Sequence, residues 1–331
     1  MTTYGHLLLT LCVATACASM DDQVGPLQPV AAARWSVQHT ESHGALASVW
    51  GSAPDDVWAA GGTAGKGLVL HNDGHGWTPV ATGATSFLWW VYGMGRNDVY
   101  AVGAAGLIVH WDGKAWTTVA SGTTQTLYGL WGASALDVWI VGGDPWGKPG
   151  DAVVLRGNAQ GFQRMVMPDL LLPAAMYKVY GTPAGDVVAV GSGGTVLRYN
   201  GAWQQDKVPT TSPLVSLWGA GGERLMAVGG QGQGIMLYFD GDHWTELAGV
   251  QPGLALFGVF QAPGQPLFAV GAGPRVIEVV GHIAEESDLP ALPSTTVLHS
   301  VWGDGHGTVY AVGGALYGDL TAATGVILQR H

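Results

Sequence analysis

Val49-Trp50-Gly51-Ser52-Ala53-Pro54-Asp55-Asp56-Val57-Trp58-Ala59-Ala60-Gly61 holds the phrase from which the architecture follows: an apolar run ending in an aromatic residue, with glycine eleven positions later. The phrase occurs seven times. Its aromatics are Trp50, Tyr92, Trp131, Tyr180, Trp218, Phe260 and Trp302, and its glycines are Gly61, Gly103, Gly142, Gly191, Gly229, Gly271 and Gly313. Successive aromatics are 42, 39, 49, 38, 42 and 42 residues apart, the period of four-stranded propeller blades.

Each unit reads as four strands. In the second they are Leu88 to Tyr92, Asp98 to Gly103, Leu107 to Trp111 and Trp116 to Val119, rich in Val, Ile and aromatics and bounded by glycine. No segment sustains a 3.6-residue period, so little helix is expected. Asp73-Gly74, Asp112-Gly113, Asn200-Gly201 and Asp240-Gly241 fall between third and fourth strands, where tight hairpins need positive φ. An aromatic follows each: Trp77, Trp116, Trp203 and Trp244. Units three and six carry Phe162 and Ile283 instead, and looser turns are expected there.

The ends of the chain predict closure. Trp77, Trp116 and Trp203 precede the next unit's aromatic by 15 residues, and Trp35 precedes Trp50 by the same interval. The C-terminal Gly325 to His331 stops after a third strand, so Arg34-Trp35-Ser36-Val37 is expected to supply the missing outer strand. That closes the ring and removes the free sheet edge that invites aggregation. The predicted fold is all-β, a seven-bladed β-propeller of four-stranded antiparallel blades over residues 34–331.

Composition narrows the function. Of 331 residues, 47% are hydrophobic and only 11% charged, with 53 glycines and 15 tryptophans, so the chain is neither disordered nor a helical bundle. A net charge of −11 and the lack of a basic run argue against nucleic acid.

Residues 1–17 read as a signal segment and 18–33 as a linker. The apolar Leu7 to Ala16 is too short to span a bilayer, and small residues precede Cys17. Two processing routes fit, simple signal-peptidase cleavage or lipidation at Cys17 as in bacterial lipoproteins. The only other cysteine is Cys12, so the mature body has no disulfide.

In its paired glycines and its turn-plus-tryptophan element the chain resembles the kelch and Asp-box (BNR-like) propellers, and most of all the tryptophan-rich repeat propellers of exported bacterial proteins. The resemblance covers residues 34–331. It departs from the Asp-box in having Asp and Gly adjacent. Asp-box propellers include sialidases, which need an arginine cluster, a tyrosine nucleophile and acidic partners at the axis. The eight arginines here include Arg96, Arg198, Arg224 and Arg275, none placed on an inner strand by the repeat. No Ser-His-Asp order, phosphate loop or dinucleotide fingerprint occurs either, so no enzyme is expected, with a sialidase-like hydrolase as the alternative.

Loop length points to one face. Gly143 to Asp151, Met167 to Pro173, Ser287 to Thr296 and Gly314 to Leu320 are insertions at blades three to four and six to seven. Variable loops on a rigid scaffold are where binding resides. The candidate contacts there are Trp146, Lys148, Tyr317 and Asp319. A second candidate set lies mid-strand around the channel, at Ser48, Trp90, Gly129, Lys178, Ser216, Gly258 and Ser300, with Trp90 and Lys178 the large exceptions. Lys178 could take an anion there or stand as a solvated lysine. His71 and His75 flank a turn rather than a helix face, so no metal site is expected, and no cofactor. The functional expectation is a monomeric, exported, lipid-anchored binding or assembly scaffold at a bacterial envelope, with a protein ligand. A glycan-binding module is the alternative.

Overall fold

The computed structural model describes residues 34–167, 173–219, 223–247, 253–281 and 283–331. Cys17, the signal segment, the linker and residues 168–172 of the blade-three link lie outside the described residues. The rest forms seven four-stranded antiparallel sheets. Their innermost strands are Ala45–Ala53, Leu88–Gly95, Thr126–Ser134, Met176–Gly181, Leu214–Gly219, Leu256–Gln261 and Val297–Gly303, for blades one to seven. Each of these contacts the next, and the last contacts the first. The ring is closed.

Closure follows the expected route. Trp35–Glu41 pairs with Gly325–Arg330 as the outer strand of blade seven, from Trp35 opposite Arg330 to Glu41 opposite Gly325. Arg34 and His331 exchange two further backbone hydrogen bonds of 3.2 Å.

Blades pack through aromatics set one blade apart. The Trp50 ring covers Gly93, where a β-carbon would come within 2.6 Å of its Cη2. Trp131 covers Gly181, Tyr180 covers Gly219, and Trp302 covers Gly51. The residue after each repeat aromatic is thus the seat for the preceding blade's ring. Two blades depart: Met94 takes the seat at Gly132, and Gln261 replaces glycine, accepting at its carbonyl from Trp218 Nε1 at 3.0 Å. The repeat aromatics are only partly core. Trp50, Phe260 and Trp302 are buried, while Tyr92, Trp131, Tyr180 and Trp218 keep an exposed edge.

The outer tryptophans make a second layer. Trp116 meets Trp58 edge-on at 5.5 Å, Trp77 meets Tyr310 at 5.7 Å, and Trp35 meets Phe268 at 6.2 Å, each on the blade before it. The turns before them place glycine at positive φ, as at Gly74 (92°) and Gly113 (87°). Blades three and six reverse the expectation of looser turns. Asn158 pairs with Gly161 and Val280 with Ile283, leaving two-residue connections, whereas Trp111 to Trp116 encloses four. The Asp-Gly loops are the wider ones, and their aspartate organises them: Asp112 accepts from the backbone N–H of Lys114 and Ala115, both at 2.9 Å.

Every innermost strand carries a β-bulge near its start. The ladder jumps from Leu46 to Ser48, Leu88 to Trp90, Leu127 to Gly129, Met176 to Lys178, Leu214 to Ser216, Leu256 to Gly258 and Leu298 to Ser300. The repeat glycine lies opposite the bulge, and a β-carbon on Gly61 or Gly103 would overlap the carbonyl of Ala45 or Phe87. Glycine eleven residues after the aromatic is therefore the condition for the bulge.

Candidate functional site at the axial mouth

A bulge leaves one residue unpaired and re-aims its side chain. Here the seven unpaired residues are Ala47, Trp89, Tyr128, Tyr177, Val215, Phe257 and His299. Five carry rings, and the five form a continuous arc. Phe257 stacks on His299 at 5.6 Å, His299 reaches Trp89 at 5.8 Å, Trp89 meets Tyr128 at 5.6 Å, and Tyr128 meets Tyr177 at 5.5 Å. Small Ala47 in blade one lets Trp89 touch His299 across it. All five rings are partly exposed. They make a collar around the channel mouth, on the face that carries the second-to-third strand loops and the blade connections.

The collar is electrostatically quiet. His299 Nδ1 donates to the Ala47 carbonyl at 2.7 Å, which fixes its proton there and leaves Nε2 an acceptor. Burial, with the nearby Lys178 charge, lowers its pKa to about 4, so the ring is neutral at pH 7. Burial pushes the Tyr128 phenol up to about 12 and raises Tyr177 as well, with Asp144 adding to both. The mouth is thus lined by neutral amphipathic rings, the residue types enriched where partners dock.

Below the collar most mid-strand positions are taken up by contacts between blades. Ser48, Ser216 and Ser300 are buried, and their hydroxyls accept from the backbone N–H of Val91, Val259 and Val49 on the next blade, at 3.1 to 3.3 Å. These serines satisfy the channel-side backbone rather than line a site. At Gly129 and Gly258 the next blade's backbone comes too close for a β-carbon. Trp90 and Lys178, both buried, meet each other: Lys178 Nζ lies 3.0 Å from the Trp90 ring centroid.

The loop candidates separate. Tyr317, 67% exposed, joins the collar through Phe257 at 5.9 Å. Asp319 is a cap, accepting from Thr321 N at 2.8 Å at the start of a short 3-10 turn. Trp146, 89% exposed, stands on a loop that Asp144 and Asp151 brace, accepting from Trp146 N and Lys148 N. Among the described residues no ring contact joins Trp146 to the collar. Sequence reasoning missed the collar by one position. Its signal is the column three residues before each repeat aromatic, where Trp, Tyr, Tyr, Phe and His stand.

The opposite mouth holds a cavity of about 490 Å³ lined by Tyr180, Trp218, Phe260, Gln261, Pro263 and Asp304 among others. Away from the axis, His71 is held at 2.8 Å by Asp56 while stacked on Trp58 at 3.9 Å, and His110 repeats this with Asp98 and Tyr100. These are blade braces. Among the described residues no three His, Cys, Asp or Glu side chains converge on a point that would hold a metal. Each arginine lies off the innermost strands, most of them paired, as Arg198 is with Asp186 and Asp206.

No protein-family model matches the chain, and no curated protein does. Solved structures do. YCF48 bound to a D1 peptide superposes with a TM-score of 0.64 at 14% identity, over 90% of this chain and 94% of that one. The RRP9 WD40 repeats give 0.67 at 9% identity, over 90% and 98%. A catalytically inactive virginiamycin B lyase from Staphylococcus aureus with quinupristin gives 0.71 at 14% identity, over 89% and 99%. Likeness at this identity establishes the fold: a seven-bladed β-propeller with tryptophan-rich blades.

Proposed function

We propose that this protein is a non-catalytic binding scaffold, exported and lipid-anchored at Cys17 to a bacterial envelope, which captures a protein partner at the collar. The carrying observation is the arc of five partly exposed rings at one axial mouth, on the face that also bears the long loops. Partly exposed Trp and Tyr on a rigid frame supply contact area at small entropic cost, the property of binding hot spots. A propeller of like fold with a peptide bound is in keeping with this reading. The kelch and Asp-box kinship rests on the turn-plus-tryptophan elements alone. We read the chain as a monomer, since the closed ring leaves no incomplete blade to pair with another copy.

The test is capture from envelope extracts by the full chain and by Trp89→Ala and Tyr128→Ala variants. Partners retained equally by all three would remove the collar from the reading. Labelled palmitate incorporation that Cys17→Ser fails to abolish would remove the anchor.

A glycan-binding reading has its own observation, the aromatic-walled cavity at the opposite mouth, where Tyr180, Trp218 and Phe260 offer faces for sugar rings beside Gln261 and Asp304. A glycan array with a Trp218→Phe control addresses it. The sialidase-like alternative lacks an axial arginine cluster among the described residues, and a panel of glycoside substrates tests it directly.

A further inference from the structure

Lys178 is the one cation on an innermost strand among the described residues, and it is 3% exposed. Its Nζ belongs to blade four yet lies over Trp90 of blade two. The innermost strand of blade three stands between them, and Gly129 there has no side chain to block the way. The charge of Lys178 is also felt by His299 of blade seven. A group that reaches from blade four past blade three to blade two points into the axial channel, beneath the collar.

Its environment lacks a counter-charge. No carboxylate of the described residues comes within 4.0 Å of Nζ, and none of their hydroxyls or carbonyls accepts from it. Stacking on Trp90 offsets part of the cost of burying an ammonium. Burial drives the group well below its ordinary pKa. An anion in the channel would restore the charge and complete the pair.

The surroundings select the kind of anion. One lysine with no arginine beside it offers a single positive charge, too little for a phosphate, which draws on clustered donors. The chain's net charge of −11 and Asp144 near the collar tyrosines disfavour polyanions further. A carboxylate carries one charge on a flat group that fits among rings.

We propose that Lys178 is the seat for a carboxylate of the bound partner, entering through the Trp89, Tyr128, Tyr177, Phe257 and His299 collar. This rests on the reading of the collar as the binding mouth. The carboxylate comes from a peptide C-terminus or from an Asp or Glu side chain.

The experiment is calorimetric titration of the full chain with three N-acetylated tripeptides. One is Gly-Gly-Ala with a free C-terminus, one is its C-terminal amide, and one is Gly-Glu-Ala amide. Binding of the first alone assigns the seat to a C-terminus, and binding of the third to a side chain; the simple amide is expected to bind at least tenfold more weakly than either. Lys178→Met, with Lys178→Gln as a second variant, is expected to abolish the preference while keeping the melting temperature at or above that of the parent. Absence of binding by any peptide, equal binding of all three, or an unchanged preference in both variants overturns the proposal. Trp89→Ala separates the two readings. Loss of all binding in Trp89→Ala but not in Lys178→Met leaves the collar standing and the carboxylate seat refuted. A carboxylate preference that persists in Trp89→Ala and vanishes in Lys178→Met refutes the collar instead.

Discussion

Trp50 and Gly93 belong to neighbouring blades, and the indole of one closes over the Cα of the other with no room for a β-carbon. The same relationship joins Trp131 to Gly181, Tyr180 to Gly219 and Trp302 to Gly51. Where both are present, as at Trp50-Gly51, the aromatic-glycine pair is two halves of two different joints: the aromatic serves the blade after its own, the glycine the blade before.

Gly93→Ala is expected to destabilise the protein by about 1 to 3 kcal/mol, the range for overpacking a filled site. Gly95→Ala, where a β-carbon meets nothing within 4 Å, is the control and should change stability by about 0.5 kcal/mol or less. Urea denaturation of both variants reads the difference. Equal effects would show that the seat is not tight.

Trp35 holds the closing strand, buried at 7% exposure and edge-on to Phe268. Trp35→Ala should cost about 3 to 5 kcal/mol. Removing the chain through Glu41 should do more than destabilise, because it bares the Gly325–Arg330 edge for pairing with another copy. Light scattering is expected to report association of the truncated chain and none of the parent.

His299 makes stability fall in acid. Its folded pKa of about 4 lies below the ordinary 6.5, so between those values the unfolded chain binds the extra proton. The contribution is fully present above pH 6.5 and is lost as the pH falls through about 4. His299→Gln should lose less stability than the parent between pH 7 and pH 4, and parallel melting curves across that window would contradict the assignment.

The exposed loop rings and the collar should respond differently. Replacing Trp146 and Tyr317 together with alanine should leave the melting temperature nearly unchanged, since both are mostly exposed. Partner capture should weaken, mainly through Tyr317 because it touches Phe257. A large thermal shift would make them packing residues. Restoring Tyr317 alone should recover most of the capture.

Asp56 carries a heavier structural role than its neighbours. Burial raises its pKa, but hydrogen bonds from His71 and Ser52 outweigh that and hold the carboxyl below its usual range. Asp56→Ala leaves His71, Ser52 and the Trp58 indole N–H without their shared acceptor. A loss of about 3 kcal/mol or more is expected by thermal denaturation, in line with breaking a buried paired group.

The blade count, the strand order and the closing strand were legible in the chain because they depend on local matters. A period near forty residues, Asp-Gly turns and alternating apolar runs each act within a few residues, and Trp35 keeps the same 15-residue interval as its counterparts. The two-residue turns of blades three and six were not legible from the missing Asp-Gly signal, since Asn158, which accepts from Gln160 N, and Gly281 at positive φ make a tighter turn by another route.

The amino-acid order alone settled the ring: seven repeats with an incomplete last unit can bury their faces only by closing on the first strand. The mouth was settled by tertiary structure. A bulge adds one residue to each innermost strand and breaks the strict alternation there, so Ala47, Trp89 and Tyr177 line the mouth while Ser48, Trp90 and Lys178 lie beneath them. The meeting of Lys178 with Trp90 likewise needs the curvature of the ring and the empty place at Gly129, neither of which any single repeat contains.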